Sequence, residues 1–299
     1  MVASPGAPVK RCPGCSARFQ GAEWSCPACG WAPEVLDGVP AFAPELSRDG
    51  YEAAFFAPLA EAEPGHFWFE VRNRLVVDAL RRHFAGTERF LEVGCGTGFV
   101  LAGVRRAFPG WALTGTDLFP EGLRFARRRV PEAALFQMDA RRIPFEAEFD
   151  VAGAFDVLEH VEEDEAVLAE MRRAVRPGGG ILVTVPQHPR LWGPMDDLAR
   201  HRRRYTRAEL VAKVERAGFR VERVTSFVSL LLPFMAASRL LRPRRRVEAD
   251  PMAELRIAPA ANRVLALVLD AERRLIERGL SFPAGGSLLL AARRPRTAP

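Results

Sequence analysis

The sequence lacks any apolar run long enough to cross a membrane. Its longest such stretch, Phe227 to Leu241, is broken by Pro233 and Arg239 and falls short of the about 20 residues a bilayer requires. Residues 1–9 are rich in Pro, Gly and Ala, with neither the basic start nor the apolar middle of a secretory leader. The expectation is a cytoplasmic chain without a transmembrane span. Cysteine is scarce, with five in 299 residues. A chain of this length buries a core without disulfides. In a reducing compartment, paired cysteines hold metal more often than they form cross-links. Lysine is nearly absent, so the formal charge of +6 comes from arginine. Such a surface is ordinarily just solvated. Its sharper reading is a face that meets RNA or anionic lipid. No fixed-period repeat and no long low-complexity tract is present.

What is there is a soluble, globular composition, 48% apolar and 27% charged. Three regions are expected. Residues 1–45 contain four cysteines and little periodicity, as in a small stapled module. Residues 46–88 form a helical cap, because Trp68, Val71, Leu75, Val76, Ala79, Leu80 and Phe84 recur at helical spacing. Residues 89–299 form the main domain, with 228–280 as a helical insertion before the last strand.

In the main domain strands and helices alternate. Strands are expected at Arg89–Val93, Ala112–Asp117, Ala134–Met138, Phe149–Phe155, Gly180–Val185, Arg220–Phe227 and Ser287–Ala292. Helices are expected at Phe99–Phe108, Glu121–Val130 and Val161–Val175, the last stopped by Arg176-Pro177-Gly178. Thr206-x-x-Glu209 opens a further helix that ends at Gly218. The pattern implies an α/β, doubly wound, seven-stranded and mostly parallel sheet with helices on both faces.

The most informative stretch is Phe90-Leu91-Glu92-Val93-Gly94-Cys95-Gly96-Thr97-Gly98. A strand runs through alternate glycines into a helix, so backbone can approach a ligand with no Cβ in the way. Phe99 stands where a dinucleotide fingerprint needs its last glycine, and no Lys-Ser/Thr follows as in a triphosphate loop. Glu92 would repel a pyrophosphate but suits an ammonium or sulfonium. Asp117 and Asp139 end the second and third strands. There they can accept hydrogen bonds from ribose hydroxyls and an adenine amino group.

These residues resemble the ordered motifs of class I S-adenosylmethionine (SAM)-dependent methyltransferases. So do Gln137-Met138-Asp139-Ala140, Phe155-Asp156-Val157-Leu158-Glu159-His160-Val161 and Arg176-Pro177-Gly178-Gly179-Gly180. The resemblance covers roughly 88–227 and the final strand. It implies that Glu92, Gly94, Cys95 and Gly96 line the methionine part of SAM. Asp117 and Leu118 would hold the ribose, Asp139 and Ala140 the adenine, and Phe155 would border the sulfonium. Phe155 and Leu118 also read as plain core residues, and Cys95 as a small packing residue.

Methyl transfer is an in-line displacement, and a base is needed only for a protonated nucleophile. His160 is the candidate base, its alternative role being to pack at a helix start. His66-Phe67-Trp68-Phe69 with Arg72 resembles a cofactor-covering segment, and Arg72 would meet the SAM carboxylate or a structural acid. The stretch after the fifth strand, with Trp192, His201 and Tyr205, is where substrate contacts are expected.

Cys12-Pro13-Gly14-Cys15 and Cys26-Pro27-Ala28-Cys29 are two C-x-x-C knuckles. They look like a zinc ribbon with one structural Zn2+ on four thiolates, iron or a redox pair being the alternatives. Trp31, Glu34, Val35, Leu36 and Asp37 favour packing of this module on the main domain. The expected reaction is methylation, most naturally at oxygen, of a small-molecule or lipid- or glycan-linked acceptor. The alternatives are an RNA base methyltransferase that uses the ribbon and a non-catalytic SAM-fold scaffold. No Asn/Asp-Pro-Pro-Tyr/Phe motif follows the fourth strand, which counts against base amino methylation. The segment 227–246 ends in Arg242-Pro243-Arg244-Arg245-Arg246. It reads as a lid helix with a solvated linker or as a peripheral membrane contact.

Overall fold

Between Arg89 and Phe227, short apolar runs that end on acids, glycines or loop residues alternate with amphipathic segments, and they fold accordingly. A computed structural model describes residues 9–21, 23–47, 50–241 and 255–296. The N-terminal module has strands β1 (Val9–Arg11), β2 (Arg18–Gln20), β3 (Glu34–Leu36) and β4 (Val39–Ala41). Helices α1 (Gly50–Ala62) and α2 (Phe67–His83) follow. Then come β5 (Arg89–Val93), α3 (Phe99–Ala107), β6 (Ala112–Asp117), α4 (Pro120–Arg129), β7 (Ala134–Gln137) and β8 (Phe145–Glu146). Next are β9 (Phe149–Phe155), α5 (Asp164–Ala174), β10 (Val175–Pro186), α6 (Pro194–Leu198), α7 (Arg207–Arg216) and β11 (Arg220–Phe227). Helices α8 (Leu232–Leu241) and α9 (Pro259–Glu277) precede β12 (Ser287–Arg293).

The main sheet runs β11-β12-β10-β9-β5-β6-β7-β4-β3. Strands β10, β9, β5, β6 and β7 are parallel, and β12 lies antiparallel between β10 and β11. Alternate residues feed two buried layers, as a pleated strand requires. Phe90, Leu113 and Val151 meet α2, α3, α4 and α9 on one face, whereas Leu91, Ala152 and Ile181 meet α5 and α7 on the other. Gly98 starts α3 in the left-handed region, and a Cβ there would lie 2.7 Å from Ala126 Cα. Glycine is what lets the loop seat α3 against α4.

Three expectations change. The sheet has nine strands among the described residues, because β4 joins it parallel to β7 and β3 follows as its hairpin partner. Asp37 and Gly38, both at positive φ, make the two-residue turn. Helix α5 starts later than expected, since Leu158–His160 first forms a short 3-10 turn. It also ends at Ala174, and Arg176-Pro177-Gly178 lies within β10, with Gly178 at positive φ, instead of capping the helix. Proline disfavours helix at the residue before it. The Gly178 N–H bonds the Arg294 carbonyl, which draws this segment onto the final strand.

The cysteine module packs firmly on the main domain. β1 pairs with β8, and Arg18 bridges Glu146 at 2.5 Å. The Trp24 ring stands 4.7, 5.7 and 5.4 Å from those of Phe42, Phe136 and Phe145. The Gln137 side chain bonds the Ala43 backbone in both directions and donates to the Leu118 carbonyl. Among the described residues no helix is long and apolar enough to cross a membrane. The Arg242–Arg246 cluster lies outside the described residues.

Trp24→Ala removes the centre of the aromatic contact. Urea unfolding of this variant is expected to show a loss of about 3 kcal/mol, the low end for a large aromatic truncated in a packed setting. An unchanged midpoint would mean that the module is held elsewhere.

Candidate active site

The carboxyl ends of β5, β6, β7 and β9 converge on the glycine loop. Gly94 and Gly96 both have positive φ, and a Cβ at Gly94 would come within 2.5 Å of Val157 Cγ2. Asp117, at the end of β6, accepts the Gly96 N–H at 2.7 Å on one oxygen and the Phe119 N–H at 2.9 Å on the other. It thereby fixes the loop and the turn that follows β6. Cys95 is buried, which pushes its thiol pKa well up, and it behaves as a packing residue. Asp139 accepts the Arg141 N–H at 2.9 Å and pairs with its guanidinium at 2.8 Å. Leu118 and Ala140 are half-buried beside these acids.

Buried charge dominates the floor. Glu92 is 2% exposed, and its Oε2 has no hydrogen-bond partner. Burial raises its pKa well above the usual carboxylate range, against the pull of Arg72 and with added push from Asp117 and Glu63. Arg72 pairs with Asp156, lies over the Trp68 ring at 4.5 Å, and keeps an unpartnered Nε. It therefore meets an acid of the protein, one of the two roles expected of it. Asp156 adopts a left-handed backbone, φ 58°, where β9 ends. Phe155 is 5% exposed and belongs to the core layer, packed over Gly153.

Helix α1 crosses this floor. The Phe56 ring lies close to Gly96 and Gly122 and stands 5.9 Å from the Phe119 ring. Buried Glu63, just beyond α1, accepts the Thr97 hydroxyl at 2.7 Å and pairs with Arg129. Arg129 also donates to the Ala60 carbonyl at 2.9 Å. The sequence reading missed Phe56, Glu63 and Arg129, which belong to no motif.

A second group lies just beyond β9. Glu159 is fully buried with neither oxygen partnered, and burial together with Asp156 raises its pKa well above the usual range. The rings of His160 and His201 sit 4.7 Å apart, edge to face. Part of His160 reaches solvent, yet crowding by protein atoms and the nearby His201 push its pKa down to about 4. His201 Nδ1 is 2.9 Å from Asp196 Oδ1, and its Nε2 is 4.0 Å from Glu159 Oε1. The structure thus brings His160 and His201 together. Trp192 stays half-buried and donates to Asp197 at 2.7 Å. Tyr205 departs from its expected role as a substrate contact. It is fully buried, and its hydroxyl donates to Asp164 at 2.7 Å, beside Lys213 on the same carboxylate. The reason is a bridge to Gln187 that turns the chain inward.

In the cysteine module, Cys12 and Cys29 sulfurs are 3.6 Å apart and those of Cys15 and Cys26 3.7 Å, with all four within 4.8 Å of one another. A tetrahedron with Zn–S bonds of about 2.3 Å has edges of about 3.8 Å. These spacings fit that geometry and are far too long for a disulfide. Each knuckle closes the same way, with the Ser16 and Gly30 N–H groups bonding the Cys12 and Cys26 carbonyls.

Comparison with known proteins agrees with this architecture. Residues 91–183 match the methyltransferase domain family. A protein of Mycolicibacterium smegmatis named a probable S-adenosylmethionine-dependent methyltransferase is 31% identical over 165 residues, which are 52% of this chain and 61% of that one. A ubiquinone biosynthesis O-methyltransferase of Dechloromonas aromatica is 33% identical over 155 residues, 49% of this chain and 64% of that one. The matches thus span less than two thirds of these relatives' lengths. Phosphoethanolamine N-methyltransferase 2 of Haemonchus contortus, solved with S-adenosyl-L-methionine, superposes with a TM-score of 0.55 at 21% identity, over 86% of this chain and 61% of that one. The [4+2]-cyclase SpnF also gives 0.55, at 19% identity, over 87% of this chain and 99% of that one. The sheet order, the glycine loop with its acids and the matched segment together give the main domain the class I methyltransferase fold, with residues 91–183 carrying the methyltransferase domain match.

Proposed function

We propose that the chain transfers a methyl group from SAM to a small-molecule or lipid- or glycan-linked acceptor, at oxygen. The observation that carries this reading is the unpartnered Oε2 of buried Glu92 beside the glycine loop. A fold shared with a cyclase does not carry an activity by itself. An orphan carboxylate oxygen where an ammonium would lie points to this cofactor, and a non-catalytic scaffold has no need of it.

SAM supplies an electrophilic methyl on a sulfonium. In this reading Glu92 takes its ammonium, and the backbone at Gly94, Cys95 and Gly96 lines the methionine part. Asp117, at the end of β6, accepts from the ribose beside Leu118. Asp139 takes the adenine amino group beside Ala140, in exchange for part of its contact with Arg141. Phe155 backs the floor. Arg72, held by Asp156, lends positive charge to the carboxylate end. Helix α1 with Phe56 covers the site and excludes water, so the acceptor meets the methyl carbon in line. For a hydroxyl acceptor the proton must also leave. The Glu159–His160–His201 group is assigned to that side.

Oxygen as the methylated atom is supported by relatives named as O-methyltransferases of ubiquinone biosynthesis and of fatty acids. Phe234 and Leu230, 74% and 43% exposed around the start of α8, suit an acceptor with a lipid portion. Zinc on Cys12, Cys15, Cys26 and Cys29 is proposed as a structural ion that holds the module shut.

Three measurements test the reading. Calorimetric titration with SAM is expected to show about 10–100-fold weaker binding for Asp117→Ala, the size of hydrogen bonds to a charged group. Unchanged affinity would sink the ribose assignment. A folded pKa raised above its unfolded value means that Glu92 supports the ligand-free fold when protonated. That support is whole below about pH 4.5 and is lost as pH rises through the folded pKa. Glu92→Gln removes the titration. Thermal unfolding without SAM should therefore fall less steeply for the variant than for wild type from roughly pH 5 to pH 8. Equal slopes would mean that Glu92 is not buried as a charge. Elemental analysis should find one zinc per chain, and Cys12→Ser should lose it.

A further inference from the structure

We propose that Glu159, His160 and His201 hold a divalent first-row transition cation, a second metal site distinct from the cysteines. One carboxylate oxygen and one nitrogen from each imidazole lie within 4.8 Å of one another. Metal bonds of about 2.0–2.2 Å place neighbouring ligand atoms about 3–4 Å apart, so a small inward turn of the side chains closes the set.

Three further observations make this a built site. First, Glu159 is fully buried, and neither of its oxygens has a hydrogen-bond partner, with His201 Nε2 4.0 Å from Oε1. A carboxylate is expensive to bury in that state, and a cation is the partner that removes the cost. Second, both histidines are already oriented. Asp196 Oδ1 takes His201 Nδ1–H at 2.9 Å, which leaves Nε2 with a lone pair on the Glu159 side. Asp196 is itself fixed by the Gly193 N–H and by Arg204, each at 2.7 Å. The ring of His160 stands edge to face against that of His201, 4.7 Å away. A carboxylate behind a ligating histidine is the usual support of metal sites. Third, the local charge favours a cation. Arg72 is paired with Asp156 and Arg204 with Asp196, so both offset Glu159 only from a distance.

Two imidazoles and one carboxylate leave coordination positions open, and His160 opens the group to solvent. Such a donor set suits Mn2+, Fe2+ or Zn2+ better than Mg2+ or Ca2+. Resting on the methyl-transfer reading, the use of the site is to bind an acceptor oxygen and lower its pKa ahead of attack. The ligand class is then an acceptor that presents a hydroxyl or enol oxygen.

The test titrates the full chain with Mn2+, without SAM, and reads free Mn2+ by electron paramagnetic resonance. Mn2+ prefers oxygen and nitrogen donors, which keeps it off the thiolates. One bound equivalent is expected, with nitrogen couplings from two imidazoles in the pulsed spectrum. Glu159→Gln and His201→Ala should each bind at least tenfold more weakly, while Cys12→Ser retains the Mn2+ site. No binding by wild type at about 1 mM Mn2+ overturns the proposal. So does binding that survives both substitutions, or a bound ion without nitrogen couplings. SAM affinity measured on the same samples separates this result from the cofactor reading: loss of Mn2+ with SAM binding intact concerns the metal site alone.

Discussion

A carboxylate that the protein does not satisfy on its own lies at the centre of this molecule. Glu92 lies one residue before the end of the middle strand of the sheet, is sealed from water, and keeps one oxygen without a hydrogen-bond partner. Burying such a group costs several kcal/mol unless it is neutralised or paired. The surrounding structure is organised around that cost. Arg72 reaches toward it from α2, tied to Asp156 so that it shares the site without cancelling it. Asp117 and Glu63 add negative charge to the same neighbourhood. The fold therefore stores a local electrostatic preference for a positively charged guest.

The glycine loop is held by side chains from three directions. Asp117 grips the Gly96 N–H from the next strand. Val157 fills the space that a side chain at Gly94 would need. Thr97 is locked into the Glu63–Arg129 pair, which also fastens the end of α1. The cover over the site and its floor thus share one buried ionic contact. Any motion of α1 away from the loop has to break it.

The parts of this arrangement that were legible in the sequence are those fixed by local chemistry. Glycines at alternate positions demand positive φ wherever they lie, and strands ending on acids mark the binding side of a parallel sheet. Arg89–Val93, Ala112–Asp117, Phe149–Phe155 and Arg220–Phe227 fold as strands with the expected bounds. What was not legible depends on distant partners. Glu63 and Arg129 meet across 66 positions with no motif at either end. Tyr205 looked like a polar aromatic in an acceptor loop, and only the fold shows that Asp164 takes its hydroxyl inside the core. Asp37-Gly38 was a hairpin signal in plain view. It lies between the cysteines on one side and the helix on the other, outside the alternation that marks the main domain.

That hairpin carries a consequence for the fate of the chain when its cysteine module fails. Without β4, strand β7 would end the sheet, and its Ala134-Leu135-Phe136-Gln137 backbone would offer free N–H and C=O groups to any passing strand. With the module in place, the outermost strand is β3, only three residues long and led by Glu34. Short, charged outer strands are how natural sheets discourage edge-to-edge aggregation. Oxidation of the four thiols would therefore be felt first as a loss of solubility, with an aggregation seed uncovered along β7.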